Sequence, residues 1–259
     1  MEKAPPAIQL ELISGKTICM KVAFRSDTGR KRTNNEDSVY VDSDSGIFIL
    51  ADGMGGHRGG EVAGKIAVRE AFNCVKEGIP KLNGSFSCPE LLVNAVGAAN
   101  DAVKEAAIQD SSLSGMGTTL LLSAIVAGKV HICNVGDSRA YLVGESVRQL
   151  TKDQTVGAFL LEHNLMDREE IDPGHFHVLI QAVGTAGELK PELIEMNVAK
   201  DDILLLCSDG LTDMLSDDEI EAIWAQCSGD VGSMAESLVN AANDNGGYDN
   251  ISVIIVKFE

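Results

Sequence analysis

Residues 47–56 read IFILADGMGG, and they set the architecture of the chain. The five leading apolar residues are typical of a buried strand, and the Asp-Gly pair that follows them is typical of a tight turn at a strand end. Just upstream, the turn DSDSG at residues 42–46 separates this run from SVYV at residues 38–41. Two short strands joined by such a turn predict an antiparallel hairpin.

Outside this hairpin the chain alternates between groups of strands and pairs of helices. Apolar residues recur at helical spacing over residues 61–76, 89–109, 216–227 and 231–243. Further strands are predicted over residues 17–24, 118–127, 129–135, 139–143, 193–198, 202–207 and 251–258. Because groups of strands alternate with helix pairs and not with single helices, we expect an α+β fold. The expected architecture is a sandwich of two mainly antiparallel β-sheets flanked by pairs of α-helices.

The chain contains no internal repeat and no low-complexity linker, so we expect a single domain over residues 17–259. Residues 1–16 are expected to be a loose N-terminal segment. Residues 151–176 are polar, contain six acidic residues and lack a long apolar stripe. This insertion is predicted to be a short helix pair or a mobile surface segment, less stable than the sheets.

The composition limits the class of partner. The chain has 259 residues, with 21 Lys and Arg against 39 Asp and Glu, and a net charge of −18. Because phosphate backbones and anionic lipids attract basic proteins, this balance argues against nucleic-acid and membrane binding. The six cysteines form no C-x-x-C pair, and the N-terminal residues lack a secretory pattern. We therefore expect a cytoplasmic, monomeric protein with reduced thiols.

Acidic residues are concentrated where the predicted strands begin or end. They are Glu36, Asp37, Asp52, Asp137, Asp209 and Asp249. Magnesium and manganese prefer carboxylate and carbonyl oxygens held at such fixed points. Any one Asp-Gly pair is also ordinary turn chemistry. If the strand ends converge, however, carboxylates crowded together repel one another unless cations neutralise them.

Six segments resemble a known family when they are taken together. They are GRKRTNNED at residues 29–37, ADGMGGH at 51–57, GMGTT at 115–119, VGDSR at 135–139, SDGLTD at 208–213 and YDNISV at 248–253. In these segments and in their order the chain resembles the metal-dependent serine/threonine protein phosphatases of type 2C, in their compact bacterial form. The segments span nearly the whole chain.

The resemblance implies two divalent cations, manganese or magnesium, held by four residues of this chain. Asp52 would bridge both cations. The carbonyl of Gly53 would bind one of them, and Asp209 and Asp249 would bind the other. A water activated between the cations would hydrolyse phosphoserine and phosphothreonine in proteins without a phosphoenzyme intermediate.

The resemblance also implies supporting roles for residues around that pair of cations. Glu36 and Asp37 would act mainly through metal-bound waters, and Arg32 would hold the substrate phosphate with its guanidinium fork. Asp137, with Asp209, would form the third, weaker metal site of some relatives. The insertion at residues 151–176 falls where the family carries a mobile flap, and it is called the flap segment below.

The partners implied are phosphoserine and phosphothreonine proteins, among them a serine/threonine kinase or its targets. An alternative of another class is a catalytically silent module that binds metal or a protein partner on the same scaffold. The presence of Arg32, Asp52, Gly53, Asp209 and Asp249 favours activity, because a silent module has no chemical need for all of them.

Two positions depart from the family's pattern. Met54 stands where some members have a histidine proposed as general acid, and Gln181 stands where many relatives carry an arginine. Two other phosphate signatures are interpreted as coincidences. Residues 59–66 are one residue short of a P-loop and end without its hydroxyl, and Cys133 and Arg139 match the C-x(5)-R spacing of thiol phosphatases.

Overall fold

The computed structural model describes residues 8–11, 17–55, 59–83, 86–144 and 146–259. The strands are β1 (Ile8–Glu11), β2 (Thr17–Asp27), β3 (Asp37–Asp42), β4 (Ile47–Met54), β5 (Gly117–Thr118), β6 (Leu120–Val126), β7 (Lys129–Val135), β8 (Arg139–Val143), β9 (Val147–Gln149), β10 (Glu192–Asn197), β11 (Ile203–Cys207) and β12 (Ile251–Phe258). The helices are α1 (Gly59–Gly78), α2 (Cys88–Gln109), α3 (Val156–Glu162), α4 (Asp209–Thr212), α5 (Asp217–Gln226) and α6 (Val231–Asp244). None of the helices in these ranges is long and apolar enough to cross a membrane.

The strands form two sheets in which every pairing is antiparallel. One sheet has the order β1-β2-β12-β11-β8-β9, and the other has the order β10-β7-β6-β4-β3 with β5 attached to β4. A shared core of residues from both sheets lies between them. Helices α1 and α2 cover the outer face of the second sheet, and α5 and α6 cover the outer face of the first. This sandwich flanked by helix pairs confirms the predicted fold class.

Strand β4 shows why its apolar run is unbroken. Phe48 and Leu50 point into the core between the sheets, whereas Ile47, Ile49 and Ala51 point into the core under α1 and α2. Both faces of the strand are therefore buried, and a polar residue on either face would lose its hydration.

Local sequence also marks where two of the helices begin. At the start of α2, the main-chain N–H of Ser87 donates to Glu90 at 2.8 Å, and the N–H of Glu90 donates back to the Ser87 hydroxyl at 3.5 Å. Ser216 and Glu219 repeat this capping box at α5. Each box satisfies two main-chain donors that the first turn leaves unpaired, and such caps typically contribute about 1 kcal/mol.

The strand registers bring distant acidic residues to one end of the sandwich. In the second sheet, Asp37 on β3 lies directly opposite Asp52 on β4. In the first sheet, Cys207 at the end of β11 lies opposite Val253 near the start of β12. The chain that leaves β11 therefore runs beside the chain that enters β12, and these two ends carry Asp209 and Asp249.

The structure differs from the sequence-based expectation in several elements. Within the segment 1–16 that was expected to be loose, Ile8–Glu11 pairs with β2 as an edge strand, and the rest of that segment lies outside the described residues. The single predicted strand over 118–127 is divided at Thr119, because that residue bonds to Asp52. The short elements β9 and α4 were not predicted. The flap segment contains one α-helix, α3, and two 3-10 turns instead of a helix pair.

Candidate metal centre

Asp52 is fixed by a clamp on its main chain. Its N–H donates to the hydroxyl of Thr119 at 2.8 Å. Its carbonyl accepts from the hydroxyl of Thr118 and from the N–H of Thr119, each at 2.8 Å. The strand break between β5 and β6 therefore serves the site, because it turns two threonines toward β4. The Asp52 carboxylate is held at a point where the two sheets meet.

Asp37 connects the two sheets through a buried hydrogen bond. The hydroxyl of Ser208, which follows β11, donates to Oδ2 of Asp37 at 2.8 Å, and the same hydroxyl accepts from the N–H of Ser252 at 2.9 Å. Asp37 is only 8% exposed. Its other oxygen, Oδ1, is buried and has no hydrogen-bond partner among the described residues.

Asp209 is the first residue of α4 and reaches Asp52. The two carboxyl groups are close enough that the charge of Asp209 helps to raise the pKa of Asp52. Oδ1 of Asp209 is buried and, like Oδ1 of Asp37, lacks a partner within the described ranges. Two unpaired carboxylate oxygens in one buried place are costly unless another group binds them.

A glycine contact at the start of α1 brings two further oxygens to the same place. A Cβ at Gly60 would lie 1.9 Å from Oε2 of Glu36 and 2.7 Å from the carbonyl oxygen of Gly53. A Cβ at Gly53 would in turn lie 2.2 Å from the carbonyl oxygen of Gly60. Only glycine fits at either position, because the two main chains pack against each other.

Asp249 and Arg32 lie at the open side of the cluster. Nη2 of Arg32 donates to Oδ2 of Asp249 at 2.6 Å. Asn250 next to it is buried and ties the 28–36 loop to β12: its Nδ2 donates to the carbonyls of Thr28 and Asn34, each at 2.9 Å. Its Oδ1 accepts from the N–H of Glu36 at 2.8 Å. Asn250 therefore sets the position of the loop that carries Arg32 and Glu36.

Burial and mutual repulsion raise the pKa values of the clustered carboxyls. Burial raises the pKa of Asp37 to about 7, and the charges of Asp209 and Asp249 add to the effect. Burial and the charge of Asp213 raise the pKa of Asp209 to about 6. The pKa of Asp52 is raised well above its ordinary value by burial and by Asp209. A cluster of this kind favours bound positive charge.

Asp137 faces a cavity beside this cluster. The cavity has a volume of about 330 Å³, and its lining includes Asp137, Asp209 and Asp213 together with Arg168 of the flap segment and His177 just after it. Burial and the Asp209 charge raise the pKa of Asp137 to about 8. Ligand atoms of His177, Asp209 and Asp213 lie within 4.8 Å of one another.

The donor set fits hard divalent cations. It consists of carboxylate oxygens and one main-chain carbonyl, which magnesium and manganese prefer. The unpaired oxygens of Asp37 and Asp209, and the space kept clear by Gly60, are what such ions need. All eight residues singled out in the sequence lie at this end of the sandwich: Arg32, Glu36, Asp37, Asp52 and Gly53 with Asp209 and Asp249 in the cluster, and Asp137 at the adjoining cavity.

Sequence reasoning missed the residues that hold this cluster in place. These residues are Thr118, Thr119, Ser208 and Asn250, and all four lie within the segments that carried the family resemblance. Their position in those segments could have marked them as candidates. Their hydrogen bonds are to residues far away in the chain, and no local pattern predicts them.

The two other phosphate signatures carry no site. Cys133 is fully buried, and burial raises the pKa of its thiol to about 12, so it is not a nucleophilic thiolate. Residues 59–64 are helical, and Lys65 is paired with Glu61 on the exposed surface of α1.

Comparison with known proteins identifies the family. A sequence profile of protein phosphatase 2C matches residues 28–246. Serine/threonine phosphatase stp of Listeria monocytogenes is 36% identical over 243 residues, which are 92% of this chain and 96% of the relative. The crystal structure of serine/threonine phosphatase PstP/Ppp of Mycobacterium tuberculosis has a TM-score of 0.82 at 33% identity, covering 93% of this chain and 98% of that one. The PstP catalytic domain in complex with two manganese ions has a TM-score of 0.78, at the same identity and coverage. The chain therefore belongs to the protein phosphatase 2C family.

Proposed function

We propose that this protein is a serine/threonine protein phosphatase that uses two divalent cations, manganese or magnesium. The observation that carries the proposal is the convergence of Asp37, Asp52, Asp209 and Asp249 from two sheets onto one end of the sandwich, where Oδ1 of Asp37 and Oδ1 of Asp209 are buried without a partner among the described residues. The names of the relatives and the manganese ions of the PstP structure support the same conclusion.

In this proposal each residue has a separate task. Asp52, Gly53, Asp209 and Asp249 bind the two cations directly, and Glu36 and Asp37 bind through waters. When bound, the cations supply a water of lowered pKa and positive charge that offsets the charge developing on phosphorus. Thr118 and Thr119 hold Asp52 still, so little reorganisation is needed as the reaction proceeds.

Arg32 is proposed to bind the substrate phosphate. Its side chain is 51% exposed and lies at the open side of the cluster, where a phosphoprotein can reach it. A guanidinium binds two phosphate oxygens at once and therefore orients the phosphoryl group toward the carboxylate cluster.

The remaining expectations are proposals of the same kind. Residues 17–259 form one domain, with the flap segment beside the cavity that Asp137 lines, and Asp137 with Asp209 holds a third, weaker cation. The protein acts as a cytoplasmic monomer, opposing a serine/threonine kinase on shared phosphoproteins. The six free cysteines are compatible with a reducing compartment.

Hydrolysis of a phosphothreonine peptide tests the proposed function. We expect turnover with manganese or magnesium, none in EDTA, and recovery when manganese is added back. A folded sample without turnover in either metal would contradict the proposal and favour the silent module. Cys133→Ser is the matched test of thiol chemistry: it should keep most activity, since the thiol is buried and protonated.

A further inference from the structure

Gln154, in the flap segment, is bonded to the loop that carries Asp137. Its Oε1 accepts from the N–H of Gly136 at 2.7 Å, and its own N–H donates to the carbonyl of Gly136 at 3.2 Å. Its Nε2 donates to the carbonyl of Asn134 at 3.1 Å. One glutamine therefore holds both the donor and the acceptor of the residue immediately before Asp137.

The same glutamine is bonded to the chain that returns from the flap. Nε2 of Gln181 donates to Oε1 of Gln154 at 2.7 Å, and the N–H of Ile180 donates to the carbonyl of Gln154 at 2.9 Å. Gln181 is itself held by Lys190, through bonds of 2.9 and 2.8 Å with its carbonyl and N–H. The beginning of the flap segment and the chain that follows its end are thus joined at Gln154.

An ion pair next to Gln154 strengthens the first of these connections. Nε and Nη2 of Arg139 donate to the two carboxylate oxygens of Asp153 at 2.8 and 2.6 Å. Arg139 follows the Asp137 loop, and Asp153 precedes Gln154. A two-bond fork of this geometry is more rigid than a single ion pair.

Asp137 depends on this scaffold for its position. It is 8% exposed, and its carboxylate has no hydrogen bond to another residue's side chain among the residues that the structure describes. The adjacent Gly136 has φ +110°, and a Cβ there would lie 2.6 Å from Cγ2 of Thr119. The main chain at this position therefore packs closely against Thr119 and has little room to move. The position of the main chain at Asp137 therefore determines where its carboxylate enters the cavity.

We propose that Gln154 is a positioning residue that couples the flap to Asp137. A displacement of the flap segment, or of the chain that returns from it, moves Gln154 through these hydrogen bonds. Gln154 in turn displaces Gly136. Contacts of a phosphoprotein with the flap segment then change the position of the Asp137 carboxylate in the cavity. This change in turn alters the affinity of the site for the weaker cation. This inference rests on the proposed phosphatase function and adds a route by which the flap acts on the site.

Gln154→Met tests the proposal because it keeps the side-chain volume and removes the three side-chain hydrogen bonds. The matched control is Gln109→Met, at an exposed helix end where the glutamine side chain donates to Glu105 at 3.0 Å. In EDTA, we expect hydrogen–deuterium exchange at residues 136–138 to rise roughly fivefold or more in Gln154→Met, with residues 129–133 of β7 unchanged, and no change in the control. With manganese, calorimetry should show roughly tenfold weaker binding at the weakest site only.

A double-mutant cycle separates positioning from general destabilisation. Gln154→Met should reduce phosphopeptide turnover in the wild type but cause no further loss in Asp137→Asn, because it acts through Asp137. The proposal would be overturned if Gln154→Met reduced turnover by the same factor in both backgrounds. Unchanged exchange at residues 136–138 would overturn it as well. Wild type and Gln109→Met are the reference proteins for these measurements. If neither of them hydrolysed the peptide, that result would refute the proposed function and not the role of Gln154.

Gln181→Met keeps the proposal testable if Gln154→Met does not fold. It removes the side-chain hydrogen bonds of Gln181 to Gln154 and Lys190, and it leaves both bonds between Gln154 and Gly136 in place. We expect faster exchange at residues 178–181 and also, by roughly twofold or more, at residues 136–138. Faster exchange confined to residues 178–181 would show that the flap and Asp137 are not coupled.

Discussion

Nη2 of Arg32 lies 2.6 Å from Oδ2 of Asp249, so the proposed phosphate-binding cation is paired with a proposed metal ligand. The arginine comes from the 28–36 loop and the aspartate from the chain entering β12, 217 residues apart. A phosphate bound by this guanidinium would lie beside the carboxylate cluster. A metal ion and Arg32 would also compete for the same Asp249 oxygen, and this competition makes the two roles separable by mutation.

Asp249→Asn should remove activity without unfolding the protein. Asparagine is nearly the same shape but lacks the charge that a hard cation requires. We expect manganese affinity and phosphopeptide turnover to fall by roughly 10–100-fold or more. The lost pair with Arg32 is partly exposed, so the free energy of unfolding in EDTA should change by about 1 kcal/mol or less.

The matched control for this variant is Asp201→Asn, an exposed aspartate whose nearest cation, Lys257, is 3.5 Å away. It makes the same chemical change at the opposite end of β12, where the N–H of Asp201 donates to the carbonyl of Phe258. It should leave manganese affinity and turnover unchanged. Unchanged manganese affinity in Asp249→Asn would remove Asp249 from the metal site.

Arg32→Ala should have the opposite pattern. The KM for a phosphothreonine peptide should rise roughly tenfold or more, because a charged hydrogen bond to phosphate is lost. Manganese affinity should stay the same or improve, since the competing guanidinium is gone from Asp249. Calorimetry with manganese and steady-state kinetics on one preparation check both parts. A weaker manganese affinity would show that Arg32 supports the metal ligands and does not serve the phosphate.

The sequence predicted the ligands better than their supports. Asp52 and Asp209 could be identified because each follows an apolar strand and precedes glycine, which is a local pattern. The Asp37–Asp52 pairing follows from the predicted hairpin. The hydrogen bond from Ser208 to Asp37 joins residues 171 positions apart in different sheets, and no spacing rule reaches that far.

The missed elements have similar causes. Strand β1 is short and follows two prolines, so pairing with β2 and not its own composition decides its structure. Helix α4 has only four residues, too few for a periodic pattern. His177 could not be placed beside Asp209 from the sequence, because the chain that follows the flap segment brings it there. Asp213 is beside Asp209 for a local reason, since it directly follows the short helix α4 that Asp209 begins.

The metal-free protein should lose stability as the pH rises. Asp209, Asp37 and Asp137 have folded-state pKa values of about 6, 7 and 8, whereas an unfolded Asp titrates near pH 3.9. Between roughly pH 4 and 8 the folded state therefore holds more protons than the unfolded state, and stability falls with pH. In EDTA we expect the free energy of unfolding to drop by at least about 2 kcal/mol from pH 5 to pH 8.

Urea unfolding at several pH values checks this trend. Measurements in about 0.5 M NaCl screen repulsion among surface charges but act less on buried ones. Asp37→Asn keeps an acceptor for Ser208 and removes one titrating group, so its pH dependence should be shallower than that of the parent. A metal-free parent as stable at pH 8 as at pH 5 would contradict the raised pKa values.

The tip of the flap segment should determine which phosphoproteins are hydrolysed. Leu165 and Met166 are 59% and 36% exposed there, and apolar side chains in such positions are typical of contacts with a partner. Replacing both by serine should raise the KM for a phosphoprotein several-fold, because the lost apolar contact area would be buried only in the complex. The KM and kcat for p-nitrophenyl phosphate, which is too small to reach the tip, should stay within about twofold. Ile108→Ser is the matched control, since Ile108 is 83% exposed at the end of α2, and it should change neither substrate. Equal losses on the phosphoprotein and on p-nitrophenyl phosphate would mean that the tip supports the metal site and does not select substrates.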